Sequence, residues 1–273
     1  MLPRTDFAEI DDASEDREEL TLCMLASGSK GNCIHIGSGD ASILVDAGLS
    51  GREIERRMEE RSLSPDHLLA IVVSHEHVDH IRGVGVLARR FNLPVFMSSE
   101  TANAALSAIG KIPCLYSFQP GIPFDISPFR IHPFNVSHDA VDPVGFTIGM
   151  NGSHIGIATD LGVATGLVKQ YLKACNLLVI EANHDVEMLH NGPYPWPLKQ
   201  RIKSRSGHLS NEDAEALLRD IMSPNLKHVI LGHLSETNNT YSRALKTVKQ
   251  AIGDGGITIS VARQDCSGPI LKL

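Results

Sequence analysis

The sequence predicts an α/β protein in which two sheets pack face to face with helices outside, in a single domain over residues 21–273. Three observations carry that expectation. Short apolar strand segments come first and then alternate with helical ones, the pattern of layered α/β folds. The run 69–74 (LAIVVS) is apolar throughout, as in a strand buried on both faces. The 273 residues are 42% hydrophobic and 21% charged, enough chain for one large domain or two small ones, and no linker or repeat divides it beyond residue 20. Periodicity alone does not choose this layout over other α/β arrangements.

The elements follow in order. Strands are expected at 21–26, 33–36 and 42–46, separated by the turn-forming strings SGSKGN (27–32) and GSGD (37–40). A helix is expected at 50–61, the buried strand at 69–74, a helix at 80–91 and a strand at 93–97. Strands at 129–136, 144–150 and 154–159 precede a helix at 163–171, weakened by Gly166. Strands at 177–181, 229–231 and 257–261 alternate with helices at 211–222 and 240–252.

The net charge of −7 is concentrated at one end. Residues 1–20 hold eight acids against Arg4 and Arg17 and lack apolar periodicity, so they read as a solvated, disordered acidic tail. The near-neutral remainder neither demands nor forbids a polyanionic partner. No run approaches the roughly 18 apolar residues of a membrane span, and no basic leader opens the chain. The five cysteines, Cys23, Cys33, Cys114, Cys175 and Cys266, form no C-x-x-C pair, which argues against a disulfide framework or a zinc ribbon. A cytoplasmic protein without membrane partners is expected.

Chemistry is concentrated in Ser74-His75-Glu76-His77-Val78-Asp79-His80, directly after the apolar strand. Metal sites need deprotonated, directional donors on a rigid support, and three imidazoles and a carboxylate here share six residues at a strand's carboxyl end. This segment resembles the signature of the metallo-β-lactamase superfamily. That family's other motifs match Leu44-Val45-Asp46-Ala47-Gly48, Val136-Ser137-His138-Asp139, Ile157-Ala158-Thr159-Asp160 and Leu231-Gly232-His233-Leu234-Ser235, in order. The resemblance implies an αββα four-layer sandwich with two divalent metal ions. His75, His77 and His138 would hold one, Asp79, His80 and His233 the other, and Asp160 would bridge them. Asp46 would orient a ligand histidine rather than bind metal. Taken singly, His138 also reads as a loop histidine and Asp160 as a helix cap. The donor set suits zinc, manganese and iron alike.

The superfamily hosts many hydrolyses, so the substrate needs further residues. His208 lies just before a helix opened by Ser210 and Asp213, a capping-box-like pair, at a place that attracts anions. The Gly207-His-Leu-Ser loop resembles the superfamily's phosphodiesterase branches, transfer-RNA-processing nucleases included. There such a histidine stands beside the scissile phosphate and pairs with a glutamate, here Glu181; the alternative is that His208 caps and Glu181 meets a surface cation. The 27–32 loop offers Ser29, Lys30 and Asn32 to phosphate oxygens, or is a plain turn. The string KQRIKSR (199–205) places four cations ahead of His208, as a basic band on a helix or as a solvated charge run. Several strings together are similar to the YycJ/WalJ branch, whose members include DNA exonucleases: 26–33, 181–185, 191–195 (NGPYP), 207–211 and 233–239 (HLSETNN). Asn183, His184, Asn238 and Asn239 become candidate substrate or supporting groups through that likeness. The acidic tail falls outside it, and Gly232 replaces a small polar residue.

Absences narrow the field. The stretch between Asp160 and His233 is too short for the inserted domain of β-CASP nucleases, and neither a glutathione-binding extension nor a flavodoxin-like domain follows. No G-x-S-x-G nucleophile motif occurs. The expected function is a dinuclear metal-dependent phosphodiester hydrolase, a DNA exonuclease, with a hydroxide nucleophile formed at the cations and oriented by Asp79, and with His208 and Glu181 assisting the leaving oxygen. The alternatives are a hydrolase of small thioesters, lactones or cyclic phosphodiesters, and a non-catalytic metal-binding regulator. The sequence specifies no oligomeric partner.

Overall fold

The computed structural model describes residues 18–253 and 256–273. Most of the acidic segment expected at 1–20 lies outside the described residues. At its end Leu20 is buried in the core, and Glu18 accepts a hydrogen bond from Ser38 Oγ (3.3 Å).

The first sheet is built from β1 (Thr21–Ala26), β2 (Cys33–Ser38), β3 (Ala41–Val45), β4 (Leu68–Val72), β5 (Pro94–Ser98) and β6 (Cys114–Phe118). β1 to β3 form an antiparallel meander, and β3 to β6 run parallel. The second sheet contains β7 (Phe124–Ile126), β8 (Phe129–Asn135), β9 (Val144–Met150), β10 (Ser153–Ala158), β11 (Leu177–Glu181), β12 (His228–Gly232) and β13 (Thr258–Val261). It repeats the plan: antiparallel from β7 to β10, parallel from β10 to β13. The last strand, β14 (Ile270–Lys272), crosses back to pair antiparallel with β1, giving orders β14-β1-β2-β3-β4-β5-β6 and β13-β12-β11-β10-β9-β8-β7.

Side-chain alternation explains the layers. Ile34, Ile36, Ile43 and Val45 point between the sheets and meet Phe129, Phe146, Ile155 and Val179 from the other sheet. The opposite faces bury Leu25, Leu44, Ile71 and Val95 under one set of helices, and Ala158, Leu178, Ile180 and Leu231 under another. The first set is α1 (Gly51–Glu59), α2 (Val78–Ile81), α3 (Val84–Phe91) and α4 (Ser99–Ile109). The chain then adds α5 (Gly166–Leu172), α6 (Val186–Asn191), α7 (Trp196–Ile202), α8 (Asn211–Ile221) and α9 (Tyr241–Ile252), of which α5, α8 and α9 cover the second sheet. Helix, sheet, sheet, helix is the four-layer sandwich that the sequence predicts.

Three departures have local causes. The helix expected at 80–91 is two, because the chain turns at Gly83, whose amide donates to Ala47 O (2.7 Å) and where a Cβ would collide with the Leu49 carbonyl. The apolar run of β4 is not buried throughout, since Leu69 is 37% exposed. The basic band 199–205 is not one helix: α7 ends at Ile202, whose carbonyl accepts from His208 N (2.9 Å) as the chain folds back. Among the described residues no helix is long and apolar enough to cross a membrane.

Candidate metal centre

Parallel strands deliver their carboxyl ends to one edge, and there the site is assembled. Asp46 follows β3, the histidine string follows β4, and Asp160, Glu181 and His233 end or follow β10, β11 and β12. Asp46, Asp160 and His233 have φ of 60°, 54° and 53°, a left-handed conformation that costs non-glycine residues energy and recurs where a site requires it.

Three imidazoles converge. His75 Nε2 lies 3.1 Å from His77 Nδ1, which lies 3.3 Å from His138 Nε2. Tetrahedral bonds of about 2.0–2.1 Å put ligand nitrogens about 3.3 Å apart, so the spacing suits one cation. The remaining ring nitrogens are anchored: His138 Nδ1 on Gly207 O (3.2 Å) and His75 Nδ1 beside Ser74 Oγ (3.0 Å). Burial pushes both imidazoles toward the neutral form that ligates metals, His75 well below its ordinary range.

A second group surrounds Asp160. His80 Nδ1 donates to Asp46 Oδ2 (2.8 Å), and Asp46 is itself held by Ser74 N and Oγ (2.8 Å each). That bond turns His80 Nε2 inward, 3.2 Å from Asp160 Oδ2 and 3.7 Å from Asp79 Oδ2. His233 Nε2 lies 3.8 Å from Asp79 Oδ2, and its Nδ1 lies 2.9 Å from Asp160 Oδ1. Asp160 Oδ1 is also 3.9 Å from His138 Nε2, so this carboxylate stands between the two groups. Asp160 Oδ2 is buried without a well-aligned hydrogen-bond partner, which suits a carboxylate oxygen that would ligate a cation. Burial opposes charge on these imidazoles, yet the Asp160 carboxylate raises both, His80 well above its ordinary range and His233 to about 10. The pocket is built to hold positive charge. Sets such as His75, His77 and His138, or His75, His80 and Asp160, are close enough to hold a metal ion.

Glu181 and His208 form a third unit. His208 Nδ1 donates to Glu181 Oε1 (2.7 Å), whose partner oxygen accepts from Leu161 N (2.8 Å) and Leu209 N (3.1 Å). Glu181 is fully buried. Burial raises its pKa, but the opposing His208 and His233 charges and hydrogen bonds prevail and hold it at about 2. Burial likewise works against charge on His208, while the Glu181 carboxylate raises its pKa above 6.5. Of the two arrangements weighed for this pair, the geometry is the direct contact: Glu181 meets His208, not a surface cation.

The substrate candidates separate. Ser29 and Asn183 line a 210 Å³ cleft together with His208 and His233. Asn183 Nδ2 also donates to His233 O (2.8 Å). Lys30 is exposed, its ammonium on Glu236 (2.6 Å). Asn32 is buried, with Oδ1 accepting from Gly28 N (2.9 Å) and Nδ2 lying 3.3 Å from Asp79 Oδ2 and 3.0 Å from His80 Nε2. His184 and Asn238 are buried as well. Asn238 packs beneath Gly192, where a Cβ would come within 2.6 Å of its Oδ1. Asn239 links Asn211 to Ala182 O. Arg201, from the basic band expected at 199–205, also lines the cleft, as do Tyr194 and Ser235, which sequence reasoning did not single out. The strings NGPYP and HLSETNN pointed at two of them without saying which side chain faces inward.

Comparison with known proteins agrees with this geometry. Residues 41–234 match the profile described as "Beta-lactamase superfamily domain". The chain is 39% identical over 245 residues to exodeoxyribonuclease YycJ of Bacillus anthracis, covering 89% of this chain and 93% of that protein. It is 38% identical over 243 residues to exodeoxyribonuclease WalJ of Streptococcus pneumoniae serotype 2, covering 87% and 90%. The metallo-β-lactamase fold protein YhfI of Bacillus subtilis superposes with a TM-score of 0.71 at 16% identity, over 94% of this chain and 100% of that one, a likeness of fold. Five motifs gathered at one sheet edge, and a likeness running through nearly the whole domain, lead to one assignment: the chain belongs to the metallo-β-lactamase superfamily, in the branch that holds the YycJ and WalJ proteins.

Proposed function

We propose that this chain is a metal-dependent exodeoxyribonuclease that hydrolyses phosphodiester bonds in DNA, with two divalent cations of zinc, manganese or iron. The observation that carries the reading is the likeness over about nine-tenths of the chain to proteins named exodeoxyribonuclease. The Glu181–His208 pair, opening into the same cleft as His233, supports it chemically. The proposed setting is the cytoplasm, in keeping with five free thiols.

His75, His77 and His138 would hold one cation, Asp79, His80 and His233 the other, with Asp160 shared. Bound divalent cations supply a water of lowered pKa and charge stabilisation at phosphoryl oxygens. The chain's own residues do the rest. Asp46 and the Gly207 carbonyl fix the rings of His80 and His138 so that Nε2 faces the centre in each. Asp79, partly exposed beside His80, would orient the attacking water. His208, whose pKa the Glu181 carboxylate raises against the effect of burial, hydrogen-bonds a phosphate oxygen and donates its proton to the leaving alkoxide.

A second reading, hydrolysis of a small thioester, lactone or cyclic phosphodiester, draws on one observation. Lys30 and Arg201 stand on Glu236 and Asp139, so the expected basic track is partly neutralised, and Lys199 Nζ is occupied by the carbonyls of His190 and Gly192 (2.8 Å each). Turnover of end-labelled duplex and single-stranded DNA, bis-p-nitrophenyl phosphate and a thioester, with and without chelator, decides between them. DNA cleavage that chelation abolishes and added metal restores is expected. DNA cleavage no faster than in buffer removes the nuclease reading.

A further inference from the structure

We infer that the cavity walled by Tyr241, beside the metal centre, receives a nucleobase of the DNA substrate; this rests on the exodeoxyribonuclease reading and extends it. The cavity, about 320 Å³, is larger than the catalytic cleft and shares Ser235 with it. Its wall is tied directly to the centre: Ser27 Oγ accepts from His233 N (2.8 Å), and Leu234 and Ser235 follow His233 in the chain. A nucleotide with its phosphate at His208 and His233 therefore has this cavity as a neighbour.

The lining suits a flat, aromatic ligand. Tyr241, 42% exposed, lines it above apolar Leu234 and Ala262. The Arg263 guanidinium stands 5.6 Å from the ring centroid, steadied by Asp265. Tyr241 is also rigidly placed. It opens α9, whose cap Thr240 accepts from Arg243 N (3.2 Å) and donates its own N–H to Asn239 Oδ1 (2.8 Å). Asn239 is buried and doubly bonded to Asn211 (2.8 and 3.1 Å). The string HLSETNN is thereby explained as the scaffold of this wall. The Gln264 amide is spent on Lys30 N (2.8 Å) and Gly31 O (2.9 Å), which leaves Ser235, Glu236 and Thr240 as polar groups along the same lining. The stacking contribution itself is tolerant of sequence.

The experiment uses the metal-loaded full chain and DNA ends carrying an abasic nucleotide at each of the first three positions in turn. At one position the missing base lowers wild-type kcat/KM about tenfold, mainly through KM, in the range of one base–aromatic stack. Tyr241→Ala lowers kcat/KM on intact DNA by a similar factor and is insensitive to the abasic nucleotide at that position, whereas Tyr241→Phe stays within about twofold of wild type. Intact-DNA turnover unchanged in Tyr241→Ala, abasic and Tyr241→Ala losses that multiply, or an abasic scan flat at all three positions overturns the pocket while leaving the nuclease intact. Where Tyr241→Ala fails to fold, Tyr241→Leu, which keeps apolar bulk without an aromatic face, takes its place with the same expected loss and the same insensitivity to the abasic nucleotide. Wild-type protein that does not cleave DNA at all removes the nuclease reading, and this pocket with it.

Discussion

At the scale of single residues, the site depends on side chains that touch other side chains rather than substrate. Asp46 illustrates this: its carboxylate receives Ser74 N, Ser74 Oγ and His80 Nδ1 at once. Asp46→Asn tolerates the left-handed backbone but replaces an acceptor with an amide facing the His80 N–H. Metal retention against graded chelator should fall about 10- to 100-fold, with secondary structure unchanged; equal retention would deny Asp46 its orienting role. Glu181 is the parallel case for His208. A group acting as a proton donor works below its pKa, and Glu181 raises that of His208, so activity is present below the raised value and lost as pH climbs through it. Glu181→Gln should lower kcat about 10²- to 10⁴-fold and move the alkaline limb of the pH–rate profile to lower pH. A slower enzyme with its alkaline limb unmoved contradicts the donor assignment.

At the scale of elements, α8 shows how a local signal builds the site. Ser210 Oγ accepts from Asp213 N (3.0 Å), and Asp213 Oδ2 in turn faces Ser210 N (3.4 Å), a capping box two residues beyond His208. Ser210→Ala should cost about 1 kcal/mol in urea unfolding while metal content stays the same; no loss means that the cap is redundant. This element was legible because its signal is local. The same holds for the β4 histidine string, where six contiguous residues carry the expected ligands His75, His77, Asp79 and His80, and for the short aspartate and histidine motifs closing β3, β10 and β12. Other parts depend on distant partners. The α4 sequence SETANAALSAI mixes small polar and apolar residues without a clear stripe, and β6 exposes Leu115, Tyr116 and Ser117 at a sheet edge. α7 opens with Pro195 and Pro197 around Trp196 and stops after seven residues, short of the helix considered for 199–205, where His208 N caps the Ile202 carbonyl. Tyr194 and Arg201 face the cleft only because α7 packs there, and the burial of Asn32 against Asp79 and His80 follows from a contact 47 residues away.

At the scale of the whole molecule, two sheets built on one plan place their switch from antiparallel to parallel pairing together, so that β3, β4, β10, β11 and β12 share one functional edge. β14 returns from the second half to pair with β1 in the first, which couples the two sheets covalently and through the ladder. Acid should therefore unfold the molecule as a unit, and a group remote from the metal centre offers a clean probe. His35 on β2 is 4% exposed on the outer face of the first sheet, where Thr21, Leu63 and His67 line the neighbouring cavity. Burial lowers its pKa from 6.5 to about 4, and charge on His67 adds to the effect. Between those values the unfolded chain binds the proton and the folded one does not. The stability contributed is full above about pH 6.5 and falls as pH drops toward 4, by about 2–3 kcal/mol in all. In metal-free protein, where protonation of the site histidines is common to both variants, His35→Gln should flatten the decline in urea-unfolding free energy between pH 7 and 4.5 by roughly that amount. Parallel pH curves for the two proteins would mean that His35 titrates alike in folded and unfolded chains, and that its burial in β2 carries no protonation cost.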